Sequence, residues 1–194
     1  AANMPVIAFI NGEYWGVYTL NEEYTDKYIQ YHYGMDDNNV IMVKTGELEE
    51  GEEADYNLFL EMYDFIAWED LEDPEVYAQA CEMIDMGSFA DYFAMQFFIV
   101  NEDGFDRNNN WQMWRVREPG KDDSPCADGK WRMMVFDTDY SSGIYADGKN
   151  FRDDNMTDVF WGAEEDAFHP RSLLRALYKN ETFKKDLIRA CCDV

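Results

Sequence analysis

The sequence predicts an α+β domain, and three observations carry that reading. Two β-rich runs flank Asn11-Gly12 near the start, helical periodicity dominates residues 55–100, and two further strand-like runs, 110–116 and 130–136, lie inside the helix-rich remainder. A chain of 194 residues suits one domain, or two small lobes around one cleft. With 46% hydrophobic and 16% aromatic residues, there is enough apolar material to offset the entropy of ordering the chain.

The first element, residues 5–20 (PVIAFINGEYWGVYTL), carries the Asn-Gly turn that most strongly signals a two-residue hairpin. The chain opens almost inside the first strand, so structure preceding it is expected to be missing. Residues 22–33 read as a helix with Tyr24, Tyr28 and Tyr31 on one face and Gly34 as its stop. Residues 39–44 (NVIMVK) read as a short strand, and Glu47–Asp55 as a solvated acidic loop. Three helices follow. Residues 55–68 place Phe59, Tyr63, Ile66 and Ala67 at helical spacing. Residues 74–84 begin with Asp73 as N-cap and Pro74 at the first helical position. Residues 89–100, capped by Ser88 with Asp91 at the capping-box distance, are apolar nearly all round and should form the buried centre. Strands 110–116 and 130–136 form a hairpin, and helices near 170–179 and 181–192 close the chain.

Charge excludes some partners. Sixteen basic residues face 41 acidic ones, a net charge of −25, and no basic patch is visible. Nucleic acid and anionic membranes are bound through clustered Lys and Arg, so neither is expected here. No run approaches the ~18 apolar residues of a membrane span, so no membrane insertion is expected. Cys81, Cys126, Cys191 and Cys192 show no CxxC or zinc spacing, and their redox state stays open. Asn155-Met156-Thr157 and Asn180-Glu181-Thr182 fit the glycosylation pattern, which matters only in a eukaryotic secretory route.

Catalytic signatures built on histidine, a nucleophilic serine elbow or a Gly-rich phosphate loop are absent from the sequence. His32 and His169 stand far apart, and His169 reads as a capping or packing residue before Pro170. Polar density lies instead in Asn101–Asn110 (NEDGFDRNNN) and Asp137–Gly143 (DTDYSSG). The hairpin would bring Asn109 and Asn110 close to Asp137, and the preceding helix would deliver Asp103 to the same end. An extended backbone would put Asp137 and Asp139 on one side. Carboxylates and amides gathered there make a hard-oxygen site suited to Mg²⁺, Mn²⁺ or Ca²⁺. Such clusters also occur in turns, where they satisfy the backbone. An EF-hand reading fits poorly, because positions 6 and 12 would be Ser142 and Gly148. The order Asp103, then Asn109/Asn110, then Asp137 matches the aspartate–asparagine–aspartate series of kinases. Lys44 could touch phosphates and Glu22 could orient that lysine, although a solvated Lys44 reads equally well.

Three blocks resemble the spore-coat-protein-H (CotH) kinase family: INGEYWGVYTLNEEY, NEDGFDRNNNWQMWR and GKWRMMVFDTDYSSG, in family order. The resemblance implies an atypical protein-kinase-like fold. It would comprise a truncated N-terminal sheet lobe (residues 1–50) and a mainly helical lobe with a catalytic β-hairpin (51–194). It further implies transfer of the ATP γ-phosphate to Ser or Thr of a protein substrate with Mg²⁺ or Mn²⁺. Carried over by position, Asp103 is the catalytic aspartate and Asp137 the metal-binding aspartate. Asn109 or Asn110 is the metal-side asparagine, and Asp139 a further metal residue. Glu22 and Lys44 are cofactor-binding. The spacing from Asp103 to Asn109 is longer than in the family's D-W-P-G-N-N variant, which leaves Asp106 as the alternative to Asp103. An extracellular or cell-surface bacterial location follows from the same resemblance. Two other classes stay open: a non-catalytic surface or scaffold module using Trp15, Trp111 and Trp114 for binding, and a structural calcium site.

Overall fold

A computed structural model describes residues 2–101, 103–104, 109–143, 155–161 and 168–194. Strands β1 (Asn3–Ile10) and β2 (Glu13–Asn21) pair antiparallel about Asn11 and Gly12. Both turn residues have positive φ, 52° and 85°, as a two-residue hairpin requires. This hairpin is bare: Ile7, Phe9 and Val17 are each more than 60% exposed. Helix α1 (Asp26–Tyr33) starts later than residue 22 because Thr25 is its N-cap. Gly34, with φ 74°, ends it as expected.

The larger sheet has the order β4-β3-β5-β6, antiparallel throughout. Its strands are β3 (Val40–Lys44), β4 (Glu47–Glu50), β5 (Trp111–Val116) and β6 (Arg132–Val135). It draws strands from both sides of residue 50. The acidic stretch expected as a loop is in part a strand, β4, followed by a 3-10 turn at Glu53–Asp55. Composition hid three uses of its residues. Leu48 packs on the core, Glu49 bonds Gln112, and Asp55 accepts the Arg117 guanidinium at 2.6 Å.

Alternation along the strands builds two cores. Ile41, Val43, Trp111, Met113 and Met133 face the helical body, whereas Val40, Met42, Trp114, Val116 and Met134 pack with Ile29 of α1. The body contains α2 (Tyr56–Trp68), α3 (Pro74–Met83), α4 (Met86–Ile99), α5 (Asn155–Trp161), α6 (Pro170–Leu177) and α7 (Glu181–Asp193). Phe59 of α2 is fully buried within a ring cluster of Tyr56, Tyr63, Trp111, Trp131 and Phe168.

Caps explain the helix starts. Asp73 accepts from the amides of Glu75 and Val76, as the sequence predicts. Helix α4 begins three residues before the expected start, because its N-cap is Asp85, which accepts from Ser88 N at 3.0 Å. The Ser88 hydroxyl instead accepts from Met133 N of β6 at 3.0 Å. Helix α4 buries Phe89, Ala90, Phe93 and Ala94, but Phe98 near its end is 66% exposed. Asn180 caps α7 and donates to Leu71 O, and this burial takes it out of reach as a glycosylation acceptor. His169 occupies the N-cap position of α6 without a side-chain cap bond and is buried, its backbone bridged by the Tyr63 hydroxyl. All four cysteines are free thiols. Among the described residues, no helix is long and apolar enough to cross a membrane.

Candidate functional site

The C-terminus of α4 organises the polar end of the sheet. Val100, at φ 54°, turns the chain out of the helix, and its amide bonds back to the last turn. The next residue, Asn101, is fully buried and donates through Nδ2 to the backbone carbonyl of Asp137 at 3.0 Å. The Ile99 carbonyl accepts from Ser142 N at 2.8 Å and from Ser142 Oγ at 3.3 Å. One helix end therefore holds both candidate loops, the one after α4 and the one after β6.

Asp103 is 8% exposed. Its Oδ2 accepts from Asn110 Nδ2 at 3.1 Å and, more weakly, from Asn109 Nδ2 at 3.4 Å. Each amide keeps its oxygen as a possible donor to a cation. Asp137 and Asp139 do not share a side by strand alternation, because β6 ends at Val135. The Asp137 carboxylate instead accepts from Asp139 N at 2.9 Å, the local turn to which short carboxylates are prone. Asp106 lies outside the described residues.

Lys44 reaches this end of the sheet from β3. Its ammonium lies 3.6 Å from Glu49 and 3.8 Å above the Phe136 ring, next to Asp137. Gln112, buried and paired with Lys44 in the strand register, donates to Glu49 at 2.8 Å. Glu22 is elsewhere engaged. It accepts from Ala2 N at 2.8 Å and pairs with His32 at 2.6 Å. The Ala2 amide, then His32, holds its carboxyl below the usual range. The structure thus joins Lys44 to Glu49 and not to Glu22. Sequence reasoning missed Glu49. The Thr45-Gly46 pair following a β run was the available signal, since it makes a two-residue turn with φ 49° and 87°.

The donor set fits a hard divalent cation in kind, with carboxylate and amide oxygens and no thiolate or imidazole. It is not a ready cage: among the described residues no three His, Cys, Asp or Glu side chains gather in ligand geometry. Magnesium tolerates such a set, because it binds through one or two carboxylates and completes its shell with water and phosphate. A cavity of about 510 Å³ lies along α4 and β6, lined by Asp85, Asp91, Trp114, Cys126 and Arg132 among others. Neither Asp103 nor Asp137 lines it. Of the aromatics considered for binding, Trp111 and Trp114 are core residues, while Trp15 is 59% exposed.

The fold is an α+β body in which helix α4 and the β5–β6 hairpin bring aspartates and asparagines to one end of the sheet. The chain belongs to the CotH kinase protein family, whose profile matches residues 1–194. No curated protein matches it.

Proposed function

We propose that this chain is an atypical protein kinase domain, which transfers the ATP γ-phosphate to Ser or Thr of a protein. The observation that carries the reading is the convergence of Asn109 and Asn110 on one oxygen of Asp103, with Asn101 tying the same helix end to Asp137. Family membership supports kinase chemistry in general. In this reading Asp103 orients the substrate hydroxyl and takes its proton, while the asparagine amides fix the carboxylate. Asp137, with an asparagine oxygen and Asp139, would hold Mg²⁺ or Mn²⁺, which supplies charge neutralisation at the phosphates. Lys44 would pair with phosphate oxygens, exchanging its 3.6 Å contact to Glu49. Glu22, engaged by Ala2 N and His32, has no part in this reading. Residues 40–50 would supply the sheet side of the nucleotide site through β3 and β4.

The test is label transfer from γ-labelled ATP with Mn²⁺, to the chain itself and to candidate proteins. Transfer that Asp137→Asn abolishes is the expected result. Equal transfer by Asp137→Asn would overturn the assignment of Asp137. Absent transfer together with absent Mg²⁺-ATP binding by calorimetry would favour a non-catalytic module.

A further inference from the structure

We infer that Tyr92 and Gln96, both buried in α4, are positioning residues for the Asp103 carboxylate and act on it through Gly104, an inference that rests on the kinase reading of Asp103. Tyr92 and Gln96 are four residues apart, one turn on the same face of the helix. The Tyr92 hydroxyl donates to the Gly104 carbonyl at 2.6 Å. Burial raises the Tyr92 pKa far above neutrality, so this donor keeps its proton at every working pH. Directly beside it, the Gln96 amide forms the floor under Gly104. A Cβ at Gly104 would stand 2.4 Å from Gln96 Nε2 and 2.8 Å from Oε1. Gly104 does not have positive φ, so space rather than backbone conformation requires glycine here.

Gln96 is an expensive choice for packing alone. It is fully buried in the last turn of α4, and among the described residues neither Nε2 nor Oε1 has a hydrogen-bond partner of normal geometry. The amide is close enough to the Tyr92 hydroxyl to draw its pKa back slightly, but no hydrogen bond of normal geometry forms. A methionine would fill the same space without leaving polar atoms unmet. Buried unmatched groups in a folded chain call for a reason beyond packing, and loop placement at a reacting carboxylate is such a reason. Two neighbouring rungs of α4 thus hold the residue that follows Asp103, Tyr92 by a hydrogen bond to the Gly104 carbonyl and Gln96 by contact.

Gln96→Met and Tyr92→Phe keep side-chain shape and test this directly. Gln96→Met should raise the melting temperature by a few degrees while lowering kcat about tenfold, with KM for Mg²⁺-ATP unchanged. Tyr92→Phe should lower kcat to a similar degree. Gly104→Ala should be nearly inactive and should recover in part when combined with Gln96→Ala, which makes room for the new methyl group. Wild-type kcat in both Gln96→Met and Tyr92→Phe would overturn the inference, because a purely structural role moves stability alone. If the wild-type chain transfers no phosphate, the kinase reading fails separately. The side-chain amide signals of Asn110, which donates to Asp103 Oδ2, then decide by NMR: a shift in both Gln96→Met and Tyr92→Phe is expected, and unchanged signals overturn the inference.

Discussion

The Lys44 ammonium sits 3.8 Å above the centre of the Phe136 ring, and Phe136 immediately precedes Asp137. A cation held over an aromatic face gains about 0.5–2 kcal/mol, depending on how far it is desolvated. The contact places a positive charge over the residue that precedes the candidate metal aspartate. Lys44→Met should weaken Mg²⁺-ATP binding about tenfold, in line with loss of one charge-assisted contact. Calorimetry on the folded variant checks this, and an unchanged dissociation constant would remove Lys44 from the nucleotide site.

Asp103 and Asp137 should separate kinetically. Asp103→Asn keeps the shape and removes the base, so kcat should fall by about 10²–10⁴ while nucleotide binding persists. Asp137→Asn should lose metal-dependent binding as well. Single-turnover assays with parallel binding measurements distinguish the two patterns.

Glu49 gives a stability prediction. Glu49→Ala would leave the Gln112 amide buried with neither of its polar atoms satisfied, since Oε1 already lacks a partner. The cost should be about 1–3 kcal/mol. Urea denaturation would show it as a lower midpoint at constant slope.

Acid stability should depend on Asp55. Its burial works to raise the carboxyl pKa, but the Arg117 hydrogen bonds, the Glu52 amide and the nearby guanidinium charges together hold it below the usual range. A carboxyl with a depressed folded pKa contributes stability above its unfolded value, about 3.9, and loses it as pH falls through the folded value. Asp55→Asn should therefore lower the melting temperature at pH 7 and flatten its fall below about pH 4. Thermal scans of both proteins from neutral to acid pH test the sign.

Phe59 anchors the main core. Phe59→Ala should cost about 3–5 kcal/mol, because the surrounding rings cannot close on the space. A loss under about 1 kcal/mol would show that the cluster collapses around the cavity.

Local chemistry was legible in the sequence, and non-local pairing was not. Asn11-Gly12, Gly34 and the Asp73-Pro74 cap act within a few residues, and each appears where the sequence places it. Strand β4 was hidden because three glutamates in four positions look like solvent, whereas its partner is decided by β3. Pairing of β3 with β5 joins residues about 70 positions apart, and no local signal carries it. The Ser88 cap was misread because Asp85 and Ser88 both fit. The structure resolved the choice by giving the Ser88 hydroxyl a sheet partner. At the site, the approach of Asp103 to Asn109 and Asn110 followed from helix-then-hairpin order. The turn at Asp137 did not, because it depends on where β6 stops. The partners of Lys44 and Glu22 depended on β4 and α1, which place Glu49 and His32.

The exposed hairpin implies an uneven timescale of opening. β1 and β2 contact chiefly each other, and a lone two-stranded ribbon is marginal in water. Its amides should exchange with solvent through local fraying, orders of magnitude faster than those of β5, which open only with the whole core. Proteases would meet the ribbon long before the helical body, so a limited digest should trim the chain to a resistant fragment beginning near α1.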